Sequence, residues 1–181
     1  MEFGQDLLQV IQDMVLRPDL SSAITIFLLS VVNEFISIFP YVIVIGGQLF
    51  FVHEPLSYGL FAKLLVYVSI PVGLGATIGT MPAYIVGYFG GKPAINKFGR
   101  YVRLSWSKIE RFESKFTGSW YDEILFLVFR IIPLPALPIS ALVGVLRMSP
   151  LTFTLLTLLG FVIRMMVLFA FAGFGVIALV E

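Results

Sequence analysis

The sequence predicts an all-α integral membrane protein, built of spanning helices and two broken segments that dip into the bilayer and return. Three observations carry this reading. Hydrophobic residues make up 59% of the 181 and charged residues only 13%, at a mean hydropathy of +0.98. An average soluble domain is about 45–50% apolar and about 25% charged, so this chain lacks the polar surface to stay dissolved alone. Uncharged runs reach the length of a bilayer crossing, about 20 residues. Prolines and glycines interrupt two of the apolar runs at matching places. A soluble enzyme, a nucleic-acid-binding module and a disordered regulator are excluded together. The formal charge of +1 says little, and with no cysteine there is neither a disulfide nor a thiolate metal site.

Residues 1–19 do not form a signal peptide. Glu2, Asp6, Asp13 and Asp19 stand against Arg17, a net of −3, where a signal peptide opens with positive charge. Phe3, Leu7, Val10, Ile11, Met14 and Val15 recur every three or four residues. That spacing describes an amphipathic helix lying in the membrane interface, or a lead-in helix packed on the bundle. The remainder, 20–181, reads as a single membrane domain.

From Leu20 to Val52 the chain is apolar for 33 residues, with Glu34 as its sole carboxylate. This is too long for one crossing and too short for two. Pro40, Gly46 and Gly47 interrupt the second half, so one spanning helix followed by a re-entrant hairpin is expected. Broken backbone at that depth needs protein or a water-filled cavity to satisfy its polar groups. Leu64 to Gly91 is a second run, of 28 uncharged residues. As one helix it would measure roughly 42 Å against about 30 Å of hydrocarbon, so it must tilt, kink at Pro71 or Pro82, or project. Gly75, Gly79, Ala83, Gly87 and Gly91 follow at four-residue intervals. Such a small-residue ridge lets another helix approach closely, whether from the same chain or from a second copy in a homo-oligomer.

Lys92 to Lys115 carries seven basic and two acidic residues, a net of +5, and the positive-inside rule makes this loop cytoplasmic. Within 92–118, Val102, Trp106, Ile109, Phe112 and Phe116 recur at helical spacing with cations opposite. This is a basic amphipathic helix on an anionic leaflet, or a solvated connecting helix whose charges set topology. Ile124 to Leu146 cannot be a plain helix. Pro133, Pro135 and Pro138 each remove a backbone donor, at about 3 kcal/mol or more inside a helix, and Arg130 stands just before them. Pro150 then opens a long apolar helix to Val180, where proline is tolerated in the first turn. Arg164 charges that helix.

The two broken segments echo each other. Pro40 and Gly46 are separated by the same interval as Pro138 and Gly144, and each pair follows a charge, Glu34 or Arg130. Paired interruptions of this kind point to a midplane site in a transporter built from inverted repeats. Glu34, Arg130 and Arg164 are the candidate site, because a central charge costs about 2.5–3.5 kcal/mol on insertion scales and is rarely idle. Two cations and one acid suit an anionic group such as a lipid phosphate, which an arginine fork binds bidentately. Glu34 would serve as proton site or counter-charge. The alternative is a structural Glu–Arg pair, or snorkelling to an interface. No metal-ligand cluster, phosphate-binding glycine loop or nucleophile–base arrangement occurs, and the sole histidine, His53, sits at a membrane edge. Neither catalysis nor a metal or cofactor is expected.

Phe126-x3-Arg130, followed by Gly144-x3-Met148-x4-Phe153, resembles the signature pair of the DedA family, also called the SNARE-associated Golgi protein or VTT-domain family. The resemblance covers roughly residues 30–175. It implies two re-entrant hairpins facing each other in an inverted-repeat arrangement, and lipid movement between leaflets. Bacterial members resemble transporters that return undecaprenyl phosphate or move phospholipid, with dependence on the proton gradient; eukaryotic members resemble phospholipid scramblases. Arg130 matches the basic position of the motif, and Glu34 is the counterpart of an early acid. Two positions depart from the pattern. A second acid would fall at Phe39 or Pro40, and a second arginine at Ala136, which leaves lipid identity and proton coupling open, with Arg164 as a substitute cation. The expectation is a flippase or scramblase, multi-pass in a prokaryotic cytoplasmic membrane, with lipids and protons as partners and no nucleic acid. A secondary transporter of ions or small solutes and a non-transporting scaffold are the alternatives.

Overall fold

The computed structural model describes residues 18–36, 57–100, 104–113 and 120–180. Residues 1–17 of the helix expected over 1–19, the first broken segment with Pro40, Gly46 and Gly47, and His53, Val102 and Phe116 lie outside them. The described residues are helical, with no strand. Helix α1 is Leu20–Ile36. Asp19 caps it by accepting from Ser22 N at 2.7 Å, and this bond holds the exposed Asp19 carboxyl below its ordinary range. On α1 the burial pattern is inverted relative to a soluble helix. Ser22, Ala23, Ile26, Ser30 and Glu34 face inward, while Ile24, Leu28, Val32 and Phe35 are exposed. Apolar side chains outward and polar ones inward is what lipid as solvent selects.

Helix α2, Tyr58–Leu64, is capped by Ser57 Oγ, which accepts from Leu60 N at 3.2 Å. It widens into a π-turn over Leu65–Ser69 and continues as α3, Ile70–Phe98. The widening sits just before Pro71, whose missing N–H and ring disturb the bonding of Tyr67 four residues earlier. Pro82, by contrast, lies within continuous helix. The sharp break is at Gly91, with φ 50° and ψ −143°, a conformation glycine alone adopts easily. Tyr58–Phe98 is long and apolar enough to cross a membrane.

Helix α3 is the axis of the bundle, with α1, α6 and α7 packed around it. A Cβ built at Gly75 would stand 2.5 Å from Phe27 O and 2.6 Å from Ser30 Cβ, both on α1, and one at Gly79 would stand 2.6 Å from Val31 O. Gly87 instead meets the Ala141 carbonyl of α6. Four residues advance a helix about 40° past a full turn, so a four-residue ridge winds. Between Gly75 and Gly87 it turns by about 120° and serves two partners in succession. Ala83 is buried in the cluster it shares with Ala141 and Leu142, whereas Gly91 has nothing within 4 Å.

Helix α4, Trp106–Glu113, folds back on the bundle, with Ile109 fully buried against Ile95, Leu104 and Leu142. Lys92 Nζ stands 5.3 Å from the Trp106 ring, and Trp106 Nε1 donates to Glu110 Oε1 at 2.6 Å. At least part of its apolar face is therefore covered by protein. Helix α5 is Trp120–Ile131, α6 is Ala136–Val145 and α7 is Pro150–Val180. Trp120 and Tyr121 open α5 exposed, as aromatic residues do at a membrane–water boundary. At 12 and 10 residues, α5 and α6 are each too short to span, and Pro150–Ala172 is long enough.

Candidate functional site

Pro133 and Pro135 explain why α5 stops at Ile131. Neither has an N–H, so the carbonyls of Phe129 and Ile131 lose the amides that would bond them four residues on. Pro138 is different. It lies in the first turn of α6, where N–H groups are unbonded anyway, and the helix runs through it.

Two arginines close the gap from opposite sides. Arg164, on α7, donates from Nε to Ile131 O at 3.1 Å and from Nη2 to Ile132 O. Arg130, in the last turn of α5, reaches across to the start of α6. Its Nη2 donates to Ser140 Oγ at 2.7 Å and its Nη1 to Ala136 O at 3.4 Å, while Ser140 Oγ donates to the same carbonyl at 2.8 Å. A guanidinium supplies five donors in a fixed fork; that of Arg164 takes up the Ile131 carbonyl that Pro135 leaves without an amide, and that of Arg130 ties the end of α5 to the first turn of α6.

Aromatic faces wrap the Arg130 guanidinium. Its Cζ is 4.8 Å from the Phe126 ring centroid, 5.5 Å from Phe153 and 5.9 Å from Phe161, and Phe161 also lies 4.7 Å from Arg164 Cζ. Arg130 is 1% exposed, Arg164 6% and Glu34 8%. Glu34 comes from α1 with its Cβ against Gly79, and its carboxylate interacts electrostatically with both arginines. Residues 34, 130 and 164, far apart in sequence, thus share one interior field with a formal charge of +1.

The residues of the two-part motif form one cluster. Phe126 and Phe153 stack at 5.8 Å, Phe153 stacks on Tyr84 at 4.2 Å, and Tyr84 Oη donates to Met148 O at 2.6 Å. Gly144 presses on the Tyr84 carbonyl of α3. Sequence reasoning missed Ser140, Phe161 and Gly160. At Gly160 a Cβ would collide with Arg130 Cβ, so only glycine lets α5 lie this close to α7. The available signal was the stripe Phe153, Thr157, Gly160, Phe161 and Arg164, which recurs at helical spacing along α7. Among the described residues no group of three or more acidic or histidine side chains could hold a metal ion.

The sequence profile of the VTT domain matches residues 38–174. The undecaprenyl phosphate transporter A of Bacillus subtilis (strain 168) is 32% identical over 100 residues, which is 55% of this chain and 49% of that protein. The match therefore spans about half the length of that relative. No solved structure matches the chain.

Proposed function

The chain belongs to the VTT-domain (DedA) family, and we propose that it carries a phosphate-bearing lipid between membrane leaflets, with undecaprenyl phosphate as the first candidate. The supporting observation is the buried, positively charged trio beside the proline break. A net positive site inside hydrocarbon is expensive, and a single anionic headgroup would neutralise it. The relative's name supplies the candidate lipid. In this reading α5, the break and α6 form the second of two opposed re-entrant segments, residues 37–56 contain the first, and the chain is a transporter rather than an enzyme.

The steps follow from the charges. In the unloaded site the Glu34 carboxylate is the counter-charge of the two guanidinium groups. An entering phosphate, with more oxygens, displaces Glu34 as the counter-charge of Arg130. A singly charged phosphate brings the trio to neutrality; a doubly charged phosphate monoester would exceed it by one negative charge, and the displaced carboxylate accepts a proton to restore the balance. Arg164, committed to Ile131 O and Ile132 O, contributes charge and holds the break in shape. This links lipid entry to proton uptake.

Proteoliposomes with labelled undecaprenyl phosphate test the reading. Wild-type protein is expected to move the lipid, and Arg130→Ala to stop it while still folded. Glu34→Gln should retain downhill movement but lose its response to an imposed pH gradient. Movement of small solutes without lipid, abolished by Arg130→Ala, would replace the lipid reading with a solute transporter.

A further inference from the structure

Arg130 Nε and Thr157 Oγ1 are buried and have no hydrogen-bond partner among the described residues. Both side chains are within 1% of full burial. Thr157 lies one helical turn after Phe153 and one before Phe161, and both of those rings stand within 6 Å of the Arg130 guanidinium. It is therefore on the stripe of α7 that faces Arg130. Gly160, on the same stripe, touches Arg130 Cβ.

The behaviour of the other threonines makes Thr157 unusual. Thr25, Thr77, Thr80 and Thr154 each donate to the carbonyl four residues earlier, and Thr152 bonds Ser149. A buried threonine can always satisfy itself in that way, and an unbonded buried hydroxyl destabilises a protein by about 1–3 kcal/mol. Thr157 instead leaves its hydroxyl unbonded, on the face of α7 that meets Arg130, whose Nε is the guanidinium nitrogen that the break does not use.

We propose that Arg130 Nε and Thr157 Oγ1 form a two-donor cup for one phosphate oxyanion, making Thr157 a ligand-binding residue. The assignment rests on the lipid-phosphate reading above and adds to it a second donor and a geometry. Two unbonded donors on facing helices beside an excess positive charge call for an acceptor with several oxygens and negative charge. An ester carbonyl could accept from both donors but would leave the charge unbalanced. A phosphate meets both, and the aromatic walls of Phe126, Phe153 and Phe161 exclude the water that would compete for it.

The test uses the full chain in nanodiscs with three probes: undecaprenyl phosphate, undecaprenol and inorganic phosphate. Thr157→Val, which keeps the shape and removes the hydroxyl, should weaken undecaprenyl phosphate binding about tenfold, the worth of one hydrogen bond to a charged group. Thr157→Ser should restore it, and undecaprenol should bind all these proteins alike. Unliganded Thr157→Val should melt no lower than wild type, because it loses no bond. Stabilisation by inorganic phosphate, lost in Thr157→Val, would keep the cup but assign it to the free anion; an effect confined to the lipid assigns it to the headgroup. Unchanged lipid affinity in Thr157→Val, with affinity lost in Arg130→Gln, overturns the cup and leaves the lipid-phosphate reading standing. Unchanged affinity in both overturns the reading as well. A lower melting temperature in Thr157→Val with unchanged affinity would make the hydroxyl structural, by way of a bridging water, and also overturn the cup.

Discussion

The seam between α3 and its neighbours α1 and α6 meets the bilayer's constraint in one way, and the seam between α5 and α7 meets it in another. Between Gly75 and Gly87 α3 runs as unbroken helix, so contact needs only small residues at Gly75, Gly79, Gly87 and, on α6, Gly144. At the contact of α5 with α7 the backbone is broken just after α5 by Pro133 and Pro135, and the Arg164 guanidinium takes up the Ile131 carbonyl that Pro135 leaves without an amide. A glycine seam is electrically silent. An arginine seam leaves charge in the interior, and that charge is what a ligand can use. The comparison separates scaffold from site: the broken seam is the harder one to build and the one with chemistry.

Removing the arginine whose donors are committed to the break should have the largest effect on folding. Arg164→Met strips the donors from Ile131 O and Ile132 O, and each part-buried carbonyl left without a donor costs up to roughly 1–3 kcal/mol. Removing one of two like charges offsets part of that. A loss of about 3 kcal/mol is expected, read as a lower melting temperature in detergent and as faster proteolysis within 131–136. An Arg164→Met protein as stable as wild type would break the comparison, since the α5–α7 seam would then hold without its staple.

The glycine seam predicts a smaller and purely steric effect. Gly87→Ala places a methyl group against the Ala141 carbonyl, and overpacking of this kind costs about 1–3 kcal/mol. Gly59 is the internal control, since a Cβ there meets nothing within 4 Å. Gly59→Ala should be neutral, or stabilising by about 0.5–1 kcal/mol through helix propensity. Equal melting temperatures for the two variants would mean that α3 and α6 do not touch through backbone.

How much of this the sequence disclosed follows from the same contrast. Small-residue spacing and proline breaks are local signals, so the ridge on α3 and the interruption after Arg130 could be read directly. The partners could not. A four-residue repeat shows a face but not that it winds from α1 to α6, nor that its last member, Gly91, is a kink. The apolar face of α4 was visible, but not that Ile109 is covered by Ile95, Leu104 and Leu142 rather than by lipid. Arg164 stood out as a lone charge, and its acceptors, the carbonyls 32 and 33 residues away, are backbone atoms with no sequence signature. Ser140 and Gly160 are small residues on apolar helices, and their roles exist only once Arg130 lies between them.

Arg147 offers a finer way to sharpen the comparison, because α6 ends in a manner that is neither glycine-packed nor arginine-stapled. Arg147 N bonds Gly144 O at 3.0 Å and Met148 N bonds Val143 O at 3.1 Å, the paired bonds of a Schellman motif. Its left-handed position, φ 61°, is held by Arg147 where glycine is usual. A non-glycine residue there costs about 1–2 kcal/mol. Against this, the guanidinium stands 4.9 Å from the Tyr88 ring of α3, an exposed cation–π contact of about 0.5–1 kcal/mol. Arg147→Gly should therefore stabilise the protein by about 0.5–1 kcal/mol, the backbone relief exceeding the lost contact. Arg147→Ala keeps the strain and loses the contact, so it should melt below wild type. If Arg147→Gly also melts lower, the Tyr88 contact outweighs the backbone strain, and α6 is tied to α3 by a cation as α5 is tied to α7.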